Sequence, residues 1–151
     1  MTSIINKEWK ITKTVLPQHT DHAGVLWHGS YLNFLEEGRI DALNKVGTSY
    51  SKLSNKGFEI PVISIKIKYK IPFFHGETFF LMSQFKIENA IRLNCKTLFL
   101  KLNGDIGAEA SVGLVVVRKR NDSMKIVREL PVQIKKILLL LEEGPKTEMI
   151  G

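Results

Sequence analysis

At 151 residues, 44% of them hydrophobic and 25% charged, the chain has the length and composition of a single globular domain. A chain of this size buries roughly 70% of its unfolded surface, which is enough for a core without disulfides or a structural metal. Intrinsic disorder and a separate dinucleotide-binding domain are both excluded on these grounds. Lys and Arg number 22 against 15 Asp and Glu, and the net +7 favours anionic partners or simply serves solubility.

In chain order, Trp9, Ile11 and Val15 fit a first strand that ends before Pro17. Residues 18–30 read as a loop rich in His, Gly, Thr and Ser, interrupted by Val25, Leu26 and Trp27. A helix is predicted from about Tyr31 to Val46, with Ser30 as its N-cap and Gly47 as its stop. Leu32, Leu35, Arg39, Leu43 and Val46 share one side of it, and Phe34, Gly38 and Ala42 form a second stripe. Period two follows: Ile63, Ile65, Ile67 and Tyr69 alternate with Ser64, Lys66, Lys68 and Lys70, a half-buried strand with a basic outer face.

Pro72 and Gly76 punctuate the chain before three strands, Phe79–Ile87, Leu93–Leu102 and Ala108–Val117. Glu88-Asn89-Ala90 and Asn103-Gly104-Asp105 supply turns between them. A last helix is expected from Pro131 to about Leu141, with Ile134, Ile137, Leu138 and Leu141 on one face. The fold class is therefore α+β, with one long helix laid on an antiparallel sheet. Cys95 is the single cysteine and reads as a half-buried structural thiol. Met1–Lys10 has no signal-peptide run, and Ile137–Leu141 falls far short of a membrane span, so a cytoplasmic protein is expected.

Chemistry concentrates in one place. His19, Asp21, His22 and His28 lie within ten residues, between a strand and the start of the main helix. Unpaired backbone N–H groups and the positive end of the helix dipole sit there. A carboxylate just upstream of such donors has two parts of a hydrolytic site: a base or nucleophile, and an oxyanion hole. The same residues have plainer readings. An Asp before a helix commonly closes an Asx turn, Trp27 and Tyr31 suit a core as well as an acyl pocket, and Glu36 with Arg39 suits a surface ion pair. The histidines lack a helical His-x-x-x-His or a Cys pair to anchor a metal, so none is expected.

The pattern Asp21-x-x-Gly24-x-x-x-His28-x-x-Tyr31, followed by Glu36 and Arg39, resembles the signature of hot-dog-fold thioesterases. The resemblance is to the 4-hydroxybenzoyl-CoA thioesterase family, including Tol-Pal-associated acyl-CoA thioesterases and 1,4-dihydroxy-2-naphthoyl-CoA hydrolases. It is tightest over Thr20–Arg39 and extends in strand order to about Val117. It implies a long central helix wrapped by a five-stranded antiparallel sheet, here with an extra C-terminal helix. Asp21 matches the catalytic carboxylate, and His28 the residue whose backbone N–H faces the thioester carbonyl. Gly24 matches the glycine that folds the loop close to substrate. Many relatives carry an acid two residues before the carboxylate, where this chain has His19.

What the resemblance implies is acyl-CoA hydrolysis with coenzyme A as part of the substrate, no separate cofactor, and a homo-oligomer, either a dimer or a dimer of dimers. An aromatic acyl group is the preferred class, with short or medium aliphatic acyl-CoA as the alternative. Gly24, Trp27 and Tyr31 are expected to bind substrate. Lys66, Lys68, Lys70 and the Arg118-Lys119-Arg120 run are expected to meet its phosphates at the surface, and the lack of a Gly-rich phosphate loop agrees with surface binding rather than enclosure. The rivals are a hot-dog hydratase or dehydratase, a carboxylate supplied instead by Glu36 or Glu37, and a non-catalytic basic module that binds acyl-CoA or nucleic acid. No RNA-binding aromatic signature supports a nucleic-acid partner.

Overall fold

The computed structural model describes residues 8–146. Residues 1–7, part of the Met1–Lys10 segment expected to carry no leader, lie outside the described residues. In chain order the elements are β1 (Trp9–Thr14), α1 (Ser30–Lys45), α2 (Tyr50–Asn55), β2 (Phe58–Glu59), β3 (Val62–Tyr69), β4 (Thr78–Ile87), β5 (Arg92–Lys101), β6 (Ile106–Val115), β7 (Val117–Arg120), β8 (Ser123–Ile126) and α3 (Val132–Glu143). The main sheet has five antiparallel strands in the order β1-β4-β5-β6-β3. This is the expected α+β arrangement of a long helix on a five-stranded sheet.

Alternation decides which face meets the helix. Phe79, Leu81, Ser83 and Phe85 of β4, Leu93, Cys95, Thr97 and Phe99 of β5, and Ala108, Ala110, Val112 and Leu114 of β6 are all buried. They lie side by side in register, so one face of the sheet is largely apolar, with Ser83 and Thr97 hydrogen-bonded to each other at 2.9 Å within it. The helix answers with Tyr31, Phe34, Leu35, Gly38, Arg39, Ala42 and Leu43. Phe34, Phe73, Phe79 and Phe99 are fully enclosed, each contributing about 1.5–3 kcal/mol by burial. α3 docks at the far end of the same face, where the Trp9 indole N–H donates to Leu141 O at 2.9 Å.

Several expectations need correction. The buried stripe of α1 follows Phe34, Gly38 and Ala42 together with Leu35, Arg39 and Leu43, while Leu32 is exposed. Ser30 is the first helical residue and Gly29 the N-cap; the Ser30 hydroxyl instead donates to His19 O at 2.9 Å. Arg39 and Glu36 form no surface pair, because Arg39 points into the core while Glu36 stays outside. The strand carrying Lys66 and Lys68 is not half-buried. β3 is an edge strand that α1 covers only at its Tyr69 end, and Val62, Ile63, Ile65 and Tyr69 are all exposed. Finally, α2 and the small β2-β7-β8 sheet add to the expected elements, and Val117 opens β7 rather than closing β6.

Candidate active site

The segment between β1 and α1 is shaped by short-range backbone bonds. After a 3-10 turn at Pro17–His19, Thr20 bridges Leu26, and Asp21 N–H donates to Val25 O at 2.9 Å. Gly24 sits at the tip with φ of +78°, a left-handed conformation open to glycine without steric cost. Asp21 also closes the turn with its side chain. Its Oδ1 accepts from Ala23 N at 2.9 Å and from Val25 N at 3.4 Å. The Asx-turn reading is therefore met by this carboxylate. Oδ1 is held by backbone, and among the described residues no partner takes Oδ2.

A second loop fastens to the first. Leu26 N–H donates to Phe73 O at 2.7 Å, His75 N–H to Gly24 O at 3.0 Å, and Val25 bridges Phe74. Between the two loops, the start of α1 and the end of β3 lies a cleft of about 290 Å³. Asp21, Leu26, His28, Tyr31, Tyr69, Lys70, Ile71 and Pro72 line it. Of the expected site residues, Asp21, His28, Tyr31 and Lys70 thus share one cavity. His28 immediately precedes the helix cap. No acceptor among the described residues takes its N–H, and no side chain caps α1. The His28 N–H therefore stands beside the cleft with no acceptor among the described residues, at the positive end of the α1 dipole.

Tyr31 stands on the first turn of α1 with its ring 4.8 Å from Tyr69 and 5.0 Å from Phe99. Burial, then the neighbouring Tyr69 and Glu77, push its phenol up to about 12, so it remains a hydrogen-bond donor throughout the neutral range. The Tyr69 hydroxyl donates to His28 O at 3.4 Å.

The remaining expected residues lie elsewhere. Trp27 does not line the cleft; it is 49% exposed, with its ring against that of His28. Gly24 shapes the loop without lining the cavity. Lys66 and Lys68, farther along β3, do not line it either, and Lys70, at its rim, pairs with Glu109 at 3.1 Å. His19 faces inward, with Nδ1 accepting from Leu16 N–H and its ring on Phe34. Among the described residues no three His, Cys, Asp or Glu side chains converge as metal ligands. Tyr69, Ile71 and Pro72 escape a reading of the sequence because the loop-to-loop pairing, not sequence proximity, brings them to Asp21.

A family model described as the thioesterase-like superfamily matches residues 15–136. The chain belongs to that superfamily. As a member it is a thioester hydrolase. The thioesterase is 29% identical over 144 residues to the Synechocystis sp. protein sll0410, provisionally named an esterase, covering 95% of this chain and 86% of that one. With Bacillus subtilis YneP, provisionally named an acyl-CoA thioesterase, it shares 41% identity over 59 residues, 39% of this chain and 43% of YneP. Its fold superposes on Slr0204, a 1,4-dihydroxy-2-naphthoyl-CoA thioesterase from Synechocystis, with a TM-score of 0.79 at 19% identity, covering 87% of this chain and 96% of that one. Among the described residues no helix is long and apolar enough to cross a membrane.

Proposed function

We propose that this thioesterase hydrolyses an acyl-CoA to the free acid and coenzyme A, with Asp21 as the catalytic carboxylate and the His28 N–H as oxyanion donor. One observation carries the reading: Asp21 has one oxygen fixed by loop amides and the other unbonded, in a cleft shared with His28. The fixed oxygen holds the geometry and the free oxygen acts. As general base it takes a proton from water as that water attacks the carbonyl carbon. The tetrahedral oxyanion rests on the His28 N–H, the C–S bond breaks, and the proton passes to the departing thiolate. As nucleophile the same oxygen would attack the carbonyl carbon and expel the CoA thiolate to give a mixed anhydride; water then opens it, releasing the free acid, restoring the Asp21 carboxylate and supplying the proton that the thiolate takes up. An oxyanion donor is worth about 2.7–4 kcal/mol of barrier, and base assistance adds about 10²–10⁴-fold.

An aromatic acyl group is the preferred substrate class. The cleft offers the rings of Tyr31 and Tyr69, with Phe73 and Phe99 packed behind them. The name of Slr0204 points the same way.

The working unit in this proposal is a homo-oligomer paired along β3. That strand exposes Val62, Ile63 and Ile65 and an unpaired backbone edge, which a second copy would cover. The pairing also gives the cations a purpose. β6 pairs Ala108 with Tyr69 and Leu114 with Val62, so the β7-β8 hairpin lies at the opposite end of β3 from its own cleft. Seven residue steps, from Val62 to Tyr69, separate the two ends by about 23 Å. Antiparallel pairing of two β3 edges brings the hairpin of one copy toward the cleft of the other. Arg118 and Arg120 line a hollow of about 350 Å³ with Ser123 and Lys125, and with Lys66 and Lys68 they are the proposed contacts for coenzyme A phosphates.

A panel of aryl and aliphatic CoA thioesters, with release of free thiol as the readout, tests the reading. Aryl-CoA turnover is expected to lead. Replacing Lys66, Lys68, Arg118 and Arg120 by Ala should raise KM for CoA thioesters and leave truncated thioesters unchanged. Absence of turnover on every thioester would favour a binding module instead.

A further inference from the structure

The cleft is flanked by two loops, and outside it a buried lysine, Lys101, pairs with the partly exposed Glu77. Lys101, the last residue of β5, is on the helix-facing side of the sheet with 9% of its surface exposed. Its Nζ donates to Pro72 O at 2.7 Å and to Glu77 Oε1 at 2.8 Å, and lies 4.6 Å from the centre of the Phe73 ring. The other oxygen, Glu77 Oε2, accepts from Phe74 N–H at 2.9 Å. An ammonium in so buried a place needs several partners at once, and every one of these partners comes from the segment Pro72–Glu77.

That segment is the second wall of the site. Pro72 lines the cleft. Phe73 O takes the Leu26 N–H, Phe74 bridges Val25, and Val25 O takes the Asp21 N–H. Three steps therefore lead from Lys101 Nζ to the backbone of Asp21. Glu77 is also among the charges that act on the Tyr31 phenol. A core needing only filling would be served by Met or Leu at position 101, without the desolvation cost of a buried ammonium.

We propose that Lys101 and Glu77 are positioning residues for thioester hydrolysis, acting as a strut that sets the Asp21 loop through the Pro72–Glu77 loop. This rests on the thioesterase reading above. Misplacing a catalytic group by about 1 Å can cost about 10²-fold in rate, whereas the rings of Tyr31 and Tyr69 are carried by α1 and β3 rather than by the loop the strut holds, so binding should suffer less than turnover. The signature is therefore a fall in kcat with little change in KM.

The experiment compares wild type, Lys101→Met, Lys101→Arg, and the double variant Lys101→Met/Glu77→Gln, which leaves no unpaired charge in the core. Each is measured for steady-state kinetics well below its melting temperature and for amide hydrogen exchange over residues 20–28. Lys101→Met and the double variant are expected to lower kcat about 10–100-fold, with KM within about threefold, and to speed exchange at the amides of Asp21, Val25 and Leu26. Exchange over β4 and β5 should be unchanged, and Lys101→Arg should recover most of kcat. Wild-type kcat and wild-type exchange over 20–28 in a folded double variant would overturn the strut. Should wild type hydrolyse no thioester, the functional reading fails alone, and the exchange data still decide whether the strut sets the loop.

Discussion

Gly24→Ala is the substitution whose consequence the structure fixes most completely. Gly24 has φ of +78°, and a Cβ built there meets no heavy atom within 4 Å. The cost is therefore all backbone and no collision. Holding an L-residue in the left-handed region costs about 1–2 kcal/mol. For a chain of this size each kcal/mol lowers Tm by about 2–4 °C, giving a fall of about 2–8 °C. The same energy can instead release the loop locally, shifting its population by a factor of about 5–30 and lowering kcat accordingly. Asn tolerates this conformation, so Gly24→Asn should lie between Gly24→Ala and wild type. Gly29→Ala is the control. Gly29 has φ of −71°, and its added Cβ would collide with the Trp27 ring, yet that ring is half exposed and free to swing aside. Its Tm should change less than that of Gly24→Ala. Differential scanning calorimetry and steady-state kinetics on wild type and the three variants decide the matter. Wild-type Tm and kcat in Gly24→Ala, or a Gly24→Asn enzyme as impaired as Gly24→Ala, would refute the reasoning.

Three further outcomes follow from particular side chains. The Tyr31 phenol is held at about 12, above the usual tyrosine value near 10. Its contribution to stability is therefore intact below about pH 10 and lost as pH rises toward 12. Urea midpoints between those pH values should fall more steeply for wild type than for Tyr31→Phe, and parallel slopes would contradict the assignment. Burial pushes the Cys95 thiol up, outweighing its contact with Thr97 at 3.7 Å and the charge of Arg39. Native protein at pH 8 should react with a thiol reagent only slowly and denatured protein at once; rapid native reaction would place Cys95 at the surface. Ile65→Asp puts a charge on the exposed edge of β3, and sedimentation should show a monomer where wild type forms a larger species. An oligomer unchanged by Ile65→Asp would move the contact away from β3.

The long helix, the sheet strands and the Asp21 loop are legible because each depends on local periodicity or on a short spaced motif. Leu32 and Arg39 show where that stops. Both sit on a periodic face, yet the sheet covers only part of the helix, so Leu32 is left exposed while Arg39 is drawn inward. Nothing in the alternation of Ile63–Tyr69 tells a central strand from an edge; strand order does, and it comes from long-range pairing. For the same reason the alternation groups Lys70 with Lys66 and Lys68, although only Lys70 reaches the cleft. Lys101 and Glu77 carry no motif at all, and only the pairing of two distant loops connects them with Asp21.

The most direct test replaces Asp21 by Asn and follows free-thiol release from the best CoA thioester of the panel. Asn keeps an oxygen for the Ala23 and Val25 amides, so the loop and Tm should hold while the acting oxygen is lost. Turnover should fall by at least about 10²-fold with KM little changed. Full activity in Asp21→Asn would contradict the account.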